Sequence, residues 1–152
     1  MRTNEDIVFE FLNNLKNHEP ERFISQLAND AEIHVCLGNQ IHSDSYAATF
    51  IGKKGAHNLF NICRQFLKIK EFKPTDFHHE DHKMIVRGDL ECVLTPNNEP
   101  WSSSWMQIWT FRNDLISKLR IFADFHTTAN RTLPGLEKVI QERSQENYGN
   151  SH

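Results

Sequence analysis

The sequence predicts an α+β fold in which three N-terminal helices lie on one side of a curved antiparallel sheet. Helical periodicity is concentrated in the first half of the chain, whereas long stretches rich in β-branched and aromatic residues fill most of the second half. Short turn signals, Glu80-Asp81, Pro96-Asn97-Asn98 and Asn113-Asp114, separate those stretches and join them as hairpins. Helices that precede a run of hairpins pack together on one face of the sheet. Long strands in a small sheet must twist, which shapes a cone, closed at its narrow end and open at the other, where a pocket belongs.

Each element has a local cause. Thr3 and Asp6 are spaced as capping acceptors, and Ile7, Val8, Phe11, Leu12 and Leu15 then recur at helical spacing. Glu19-Pro20 restarts the chain, because proline is preset for a first helical turn, and Phe23, Ile24 and Leu27 make a short second helix ending near Asn29-Asp30. Over residues 32–37, Ile33, Val35 and Leu37 alternate with Glu32, His34 and Cys36, the period of a half-buried strand. Residues 38–54 are polar and irregular, long for a plain connection and suited to a lid. Leu59, Phe60, Ile62, Cys63, Phe66 and Leu67 then mark a third, largely buried helix over residues 55–69. Strands are expected over residues 70–79, 83–94, 102–112 and 115–126, the last two joined by a tight primed turn at Asn113-Asp114. Pro134, Leu136, Val139 and Ile140 suit a brief closing helix over residues 133–141, and the polar end beyond is expected to fray. Residues 1–130 thus form one domain and residues 131–152 an extension.

Composition narrows the functional classes. The 152 residues carry 17 Lys and Arg against 20 Asp and Glu, a formal charge of -3, which argues against a nucleic-acid or anionic-membrane surface. No apolar run approaches the roughly twenty residues a membrane helix needs. Cys36, Cys63 and Cys92 fall on separate predicted elements and are odd in number, so they are read as reduced thiols. Glu5 and Asp6 stand where a signal peptide needs a basic and then apolar stretch, so a cytoplasmic protein is expected. Phosphate loops, serine elbows, Cys-His nucleophile signatures and zinc-type Cys pairs are missing, so no cofactor is expected. His78, His79 and His82 with Glu80 and Asp81 are metal-ligand types, but side chains at a hairpin tip diverge and lack outer support. They read as a solvated turn, and no metal site is expected.

The stretches IVFEFLNNLKNHEPERFISQLANDAEIHV, GKKGAHNLFNICRQF and WMQIWTFRNDLISKLRIFADFHT carry a resemblance to the nuclear transport factor 2-like superfamily, in particular its SnoaL-like, ketosteroid isomerase and limonene-1,2-epoxide hydrolase branches. The resemblance covers about residues 5–128. It implies a cone-shaped, cystatin-like fold with a deep apolar pocket, and commonly a homodimer packed through the sheet. Ketosteroid isomerases have a tyrosine, a general-base aspartate and a donor aspartate at positions that look like Phe11, Val35 and Gln107 here. Of those three, only Gln107 can serve, as a neutral donor. Limonene epoxide hydrolases hold a water with polar residues at positions that look like Ile33, Val35 and Ile121, and with an arginine and an aspartate that Arg87-Gly88-Asp89 preserves.

Arg87 and Asp89 are two apart on a strand and share a face, so they could form a charge-assisted pair whose aspartate takes a proton. Alternation with Met84, Val86, Leu90, Cys92 and Leu94 turns them outward, the resemblance turns them inward, and a bulge near Gly88 would reconcile the two. Trp105, Gln107, Trp109 and Phe111 share another face, which the resemblance points into the pocket. Either they line a site for a flat lipophilic ligand or they fill the cone as core. His57 reads as a surface helix residue. His34, with Met106, Ile108 and Thr110, reads as an outer-face contact, and Asp124 and His126 as strand-end contacts. The expected function is a SnoaL-like pocket protein for a hydrophobic small molecule, lined by Trp105, Trp109, Phe11, Ile33, Val35, Phe60 and Ile121. If it catalyses, the expected chemistry is cofactor-free isomerisation, dehydration, cyclisation or hydrolysis, with Asp89 as base, Arg87 orienting it and Gln107 donating. The rival is a non-catalytic ligand-binding or protein-assembly domain.

Overall fold

A computed structural model describes residues 3–37, 46–95 and 98–123. In chain order the elements are α1 (Asn4–Asn17), α2 (Glu21–Ser25), β1 (Leu27–Leu37), β2 (Tyr46–Ile51), α3 (Gly52–Phe66), β3 (Leu67–Glu80), β4 (Lys83–Leu94), β5 (Glu99–Arg112) and β6 (Leu115–Ala123). The strands form one sheet in the order β2-β1-β6-β5-β4-β3. The helices pack against it as an α+β cone. Every neighbouring pair is antiparallel except β1 and β6, so the expected antiparallel sheet is in fact mixed. That parallel pair joins the first described strand to the last described one, a long-range contact that no local pattern encodes.

The capping signal is realised on α1: Thr3 Oγ1 accepts from the Asp6 amide at 3.2 Å, and Asp6 Oδ2 accepts from the Thr3 amide at 2.9 Å. The helix ends where His18 turns left-handed, with φ 59°. Asn113 and Asp114 adopt φ 53° and 64°, the primed turn read from their side chains. Several boundaries differ from the periodicity-based expectation. β1 starts at Leu27 rather than at residue 32, because Leu27 pairs with Ile116 of β6. Residues 46–51 form an edge strand against β1 rather than irregular chain; Ala48 and Phe50 turn inward and are buried, and a strand of 6 residues is too short a run to register by alternation. The helix α3 starts three residues before the expected boundary, at Gly52, whose φ of 69° suits a residue without a Cβ. It yields to β3 at Leu67, where pairing with Leu94 takes over. The lid expectation for residues 38–45, the closing helix at 133–141 and the contacts of Asp124 and His126 lie outside the described residues.

On β4, Met84, Val86, Gly88, Leu90, Cys92 and Leu94 are buried and the residues between them face out. A bulge does exist opposite Gly88, but Thr75 of β3 carries it, between Pro74 and Asp76. The alternation of β4 therefore runs unbroken. Four rings close the narrow end of the cone: Phe11 of α1, Phe23 of α2, Phe60 of α3 and Trp109 of β5, all nearly inaccessible. Phe11 lies 4.5 Å from Phe23 and 5.3 Å from Trp109 between ring centroids, and Phe23 lies 5.7 Å from Phe60.

Candidate ligand cavity

The inward positions of the sheet form layers along the strands. Ile33, Leu119, Trp109 and Met84 lie in register, followed one layer on by Val35, Ile121, Gln107 and Val86, and then by Ala123, Trp105 and Gly88. The Trp109 layer is full. Beyond it the core opens into a cavity of about 90 Å³. Its walls are Leu15 of α1, Val35 of β1, Leu59, Ile62 and Cys63 of α3, Leu67, Ile69 and Phe72 of β3, Leu90 of β4, Trp101, Trp105 and Gln107 of β5, and Ile121 and Ala123 of β6.

Gly88 shapes this wall. A Cβ added there would collide with the Lys73 backbone oxygen and with Cζ2 of Trp105, so the bare backbone is what lets the Trp105 indole lie across β4. Phe72 meets that indole edge-on at 5.2 Å. Gln107 is fully buried, and its Oε1 accepts from Trp109 Nε1 at 3.0 Å. The Trp105 Nε1 and Gln107 Nε2 donors are buried without a protein acceptor. A third such atom among the described residues, Asn14 Nδ2, belongs to a residue outside the lining.

Cys63 carries the one titratable side chain in the described lining. Burial pushes its thiol up to about 12, and burial with the neighbouring Cys63 pushes Cys92 up to about 12. Burial also raises Cys36, against the lowering effect of Arg120. Free thiols are thus all three, and the two inner ones are protonated near neutral pH, not thiolate nucleophiles.

Of the residues expected to line a pocket, Trp105, Val35 and Ile121 do so, together with Gln107. Phe11, Phe60, Trp109 and Ile33 instead fill the narrow end, because side chains from three helices converge there. Arg87 and Asp89 are exposed on the outer face. Ser104 Oγ donates to Asp89 Oδ1 at 3.4 Å across the outside of the sheet. Their placement as base and orienting group inside the cone is therefore corrected: the bulge sits on β3 and leaves β4 in simple alternation. His34 is half-buried on the outer face, 3.0 Å from Thr49 Oγ1, and His57 is exposed. At the hairpin tip His79 pairs with Glu5 at 2.9 Å and His78 with Glu80 at 3.5 Å. Among the described residues no group of three His, Cys, Asp or Glu is arranged to hold a metal. Trp101 is the lining residue most readily missed; its spacing of four from Trp105 puts it on the same strand face.

The SnoaL-like domain family pattern matches residues 8–119. The chain belongs to the SnoaL-like domain family. Solved structures agree with that SnoaL-like assignment at the level of fold. A nuclear transport factor 2-like protein from Burkholderia xenovorans superposes with a TM-score of 0.65 at 19% identity, covering 80% of this chain and 88% of that one. A proposed isomerase from Rhodopseudomonas palustris gives 0.65 at 11% identity, covering 95% and 99%. A proposed SnoaL-like polyketide cyclase from Mesorhizobium loti gives 0.56 at 13% identity, covering 79% and 98%. No curated protein matches this SnoaL-like chain in sequence. No described helix is long and apolar enough to cross a membrane.

Proposed function

We propose that this SnoaL-like chain binds a small apolar or aromatic molecule in the hollow end of its cone. The observation that carries the reading is the cavity itself: a void walled almost wholly by carbon, one layer from a fully packed aromatic core. A void of about 90 Å³ is smaller than the roughly 150 Å³ cavity that takes benzene, so the occupant is a compact molecule or the end of a longer one. Binding is favoured over proton-transfer catalysis, since the described lining holds neither carboxylate nor imidazole and Asp89 and Arg87 stand outside it. The names isomerase and cyclase given to structural relatives support the rival catalytic reading, in which Gln107 would be the donor. In the same proposal the chain pairs with a second copy through the outer sheet face, where His34, Met106, Ile108 and Thr110 are half-buried in the single chain, and works in the cytoplasm, where free thiols persist.

The test is binding of compact hydrocarbons and ketones by ligand-observed NMR, with Cys63→Leu as the blocked control. Saturable binding that Cys63→Leu abolishes is the expected result. Equal binding to both proteins would overturn the cavity as the site, and light scattering that finds a monomer at tens of micromolar would remove the second copy.

A further inference from the structure

We propose that ligands enter the hollow end of the cone from the groove between α1 and β3, and that Phe72, the wall common to groove and cavity, is the gate that admits them and limits their size. The inference rests on the ligand-cavity reading above and adds the route and the residue that selects along it.

Two adjoining spaces carry the inference. The groove, of about 760 Å³, has Phe9, Leu12, Asn13 and Lys16 of α1 on one side and Phe72 and Pro74 of β3 on the other. That is the size of an ordinary ligand site, roughly 300–1,000 Å³, whereas the cavity holds about 90 Å³. Phe72 belongs to both linings. A side chain with a space on either side is a partition, and moving it joins the two.

Phe72 is also the part of the wall that is held least. Leu15, Leu59, Ile62, Leu90, Trp101 and Trp105 are buried, but Phe72 is only half-buried. Its strand stands at the end of the described sheet and is bonded there to β4. The ladder is irregular on both sides of it: Lys70 is an extra residue between Ile69 and Glu71, and Thr75 is another between Pro74 and Asp76. Bulges interrupt ladder bonds, and Pro74 brings no amide of its own. Farther along, α1 and β3 are clamped together, with His79 2.9 Å from Glu5 and the Phe9 and Phe77 rings 5.6 Å apart. The groove therefore keeps its sides while the ring moves. Closed, Phe72 meets the Trp105 indole edge-on at 5.2 Å. Swung into the groove, it gives up that one ring contact and leaves a gap about as wide as itself, so compact molecules pass and wider ones do not. Cys63 and Leu67, where α3 meets β3, are half-buried too, which makes that end the rival entrance.

The experiment follows cyclopentane entering the full-length ¹⁵N-labelled chain, with association and dissociation rates taken from line shapes in an NMR titration. Phe72→Ala is expected to raise both rates about tenfold, with a smaller change in Kd. It should also extend binding to naphthalene, for which a void smaller than the roughly 150 Å³ that takes benzene has no room. Asn13→Trp changes an exposed residue on the helical side of the groove and should slow both rates about threefold while Kd stays within about twofold. That variant decides the matter even if Phe72→Ala folds poorly. Arg64→Trp, exposed and next to Cys63 on α3, should leave the rates unchanged. Slowing by Arg64→Trp and not by Asn13→Trp would put the entrance at the α3 end and overturn the inference. Rates indifferent to both Phe72→Ala and Asn13→Trp, with cyclopentane still bound, would overturn it while leaving the cavity as a binding site. If cyclopentane perturbs no signal of the lining residues up to its solubility, the ligand-cavity reading fails and this inference goes with it.

Discussion

At the narrow end of the cone Trp109 is met by Phe11 from α1 and Phe23 from α2, with Phe60 of α3 against both phenylalanines. At the open end Trp105, four residues earlier on the same strand face, is met by Phe72 among the described rings, and a cavity of about 90 Å³ remains. The sheet contributes an indole to both layers. What differs is the helical side. Moving along α1 by four residues replaces Phe11 with Leu15, and moving along α3 by three replaces Phe60 with Cys63, about one helical turn in each case. The side chains opposite the sheet therefore decide which layer is core and which is cavity.

The largest expected effect tests the full layer. Trp109→Ala should lower stability by about 4 kcal/mol in urea unfolding, the usual cost of deleting a packed indole, and it also removes the donor to Gln107 Oε1. Trp105→Ala should cost roughly 1 kcal/mol less, because part of that ring already faces a void and has fewer contacts to lose. Equal losses would erase the distinction between the two ends. Gly88→Ala comes next, at about 2 kcal/mol, since the added methyl meets backbone at Lys73 and must displace Trp105; the check is its unfolding midpoint together with loss of ligand binding.

The two inner thiols give a pH arm. Their folded pKa values, about 12, lie above the ordinary thiol value of 9.0, so the folded state favours the protonated form. Their contribution is whole below about pH 9 and is lost progressively as pH rises toward 12. Unfolding midpoints measured across pH 8–11 should fall less steeply for Cys63→Ala than for the wild type. Cys63→Leu moves stability the other way at neutral pH: by filling the void it should stabilise the protein by about 0.5–1 kcal/mol. The same change in a full layer would overpack it, so destabilisation by Cys63→Leu would mean that the open end holds no usable space.

Much of this contrast was legible before the structure. The spacing of Phe11 and Leu15, and of Phe60 and Cys63, is printed in the chain, as are the Asn113-Asp114 turn and the Thr3 and Asp6 cap. Three things were not. The β1 to β6 pairing joins distant segments, β2 runs for just 6 residues, and the strand that carries a bulge is a property of a pair of strands. The third mattered most for function, because Gly88 stood out on β4 while the extra residue proved to be Thr75 on β3.

The smallest expected effect follows from that bulge. Because β4 keeps its alternation, Arg87 and Asp89 are exposed and touch neither the full layer nor the cavity. Asp89→Asn keeps an oxygen for Ser104 to donate to, and Arg87→Ala removes a solvated guanidinium, so each should change stability by no more than about 0.5 kcal/mol. Ligand affinity should stay within about twofold of wild type, an energy difference below about 0.5 kcal/mol. A much larger loss of affinity in Asp89→Asn, with an unchanged unfolding curve, would mean that the outer face of β4 takes part in binding. The function would then have to be sought on the outside of the sheet rather than within the cone.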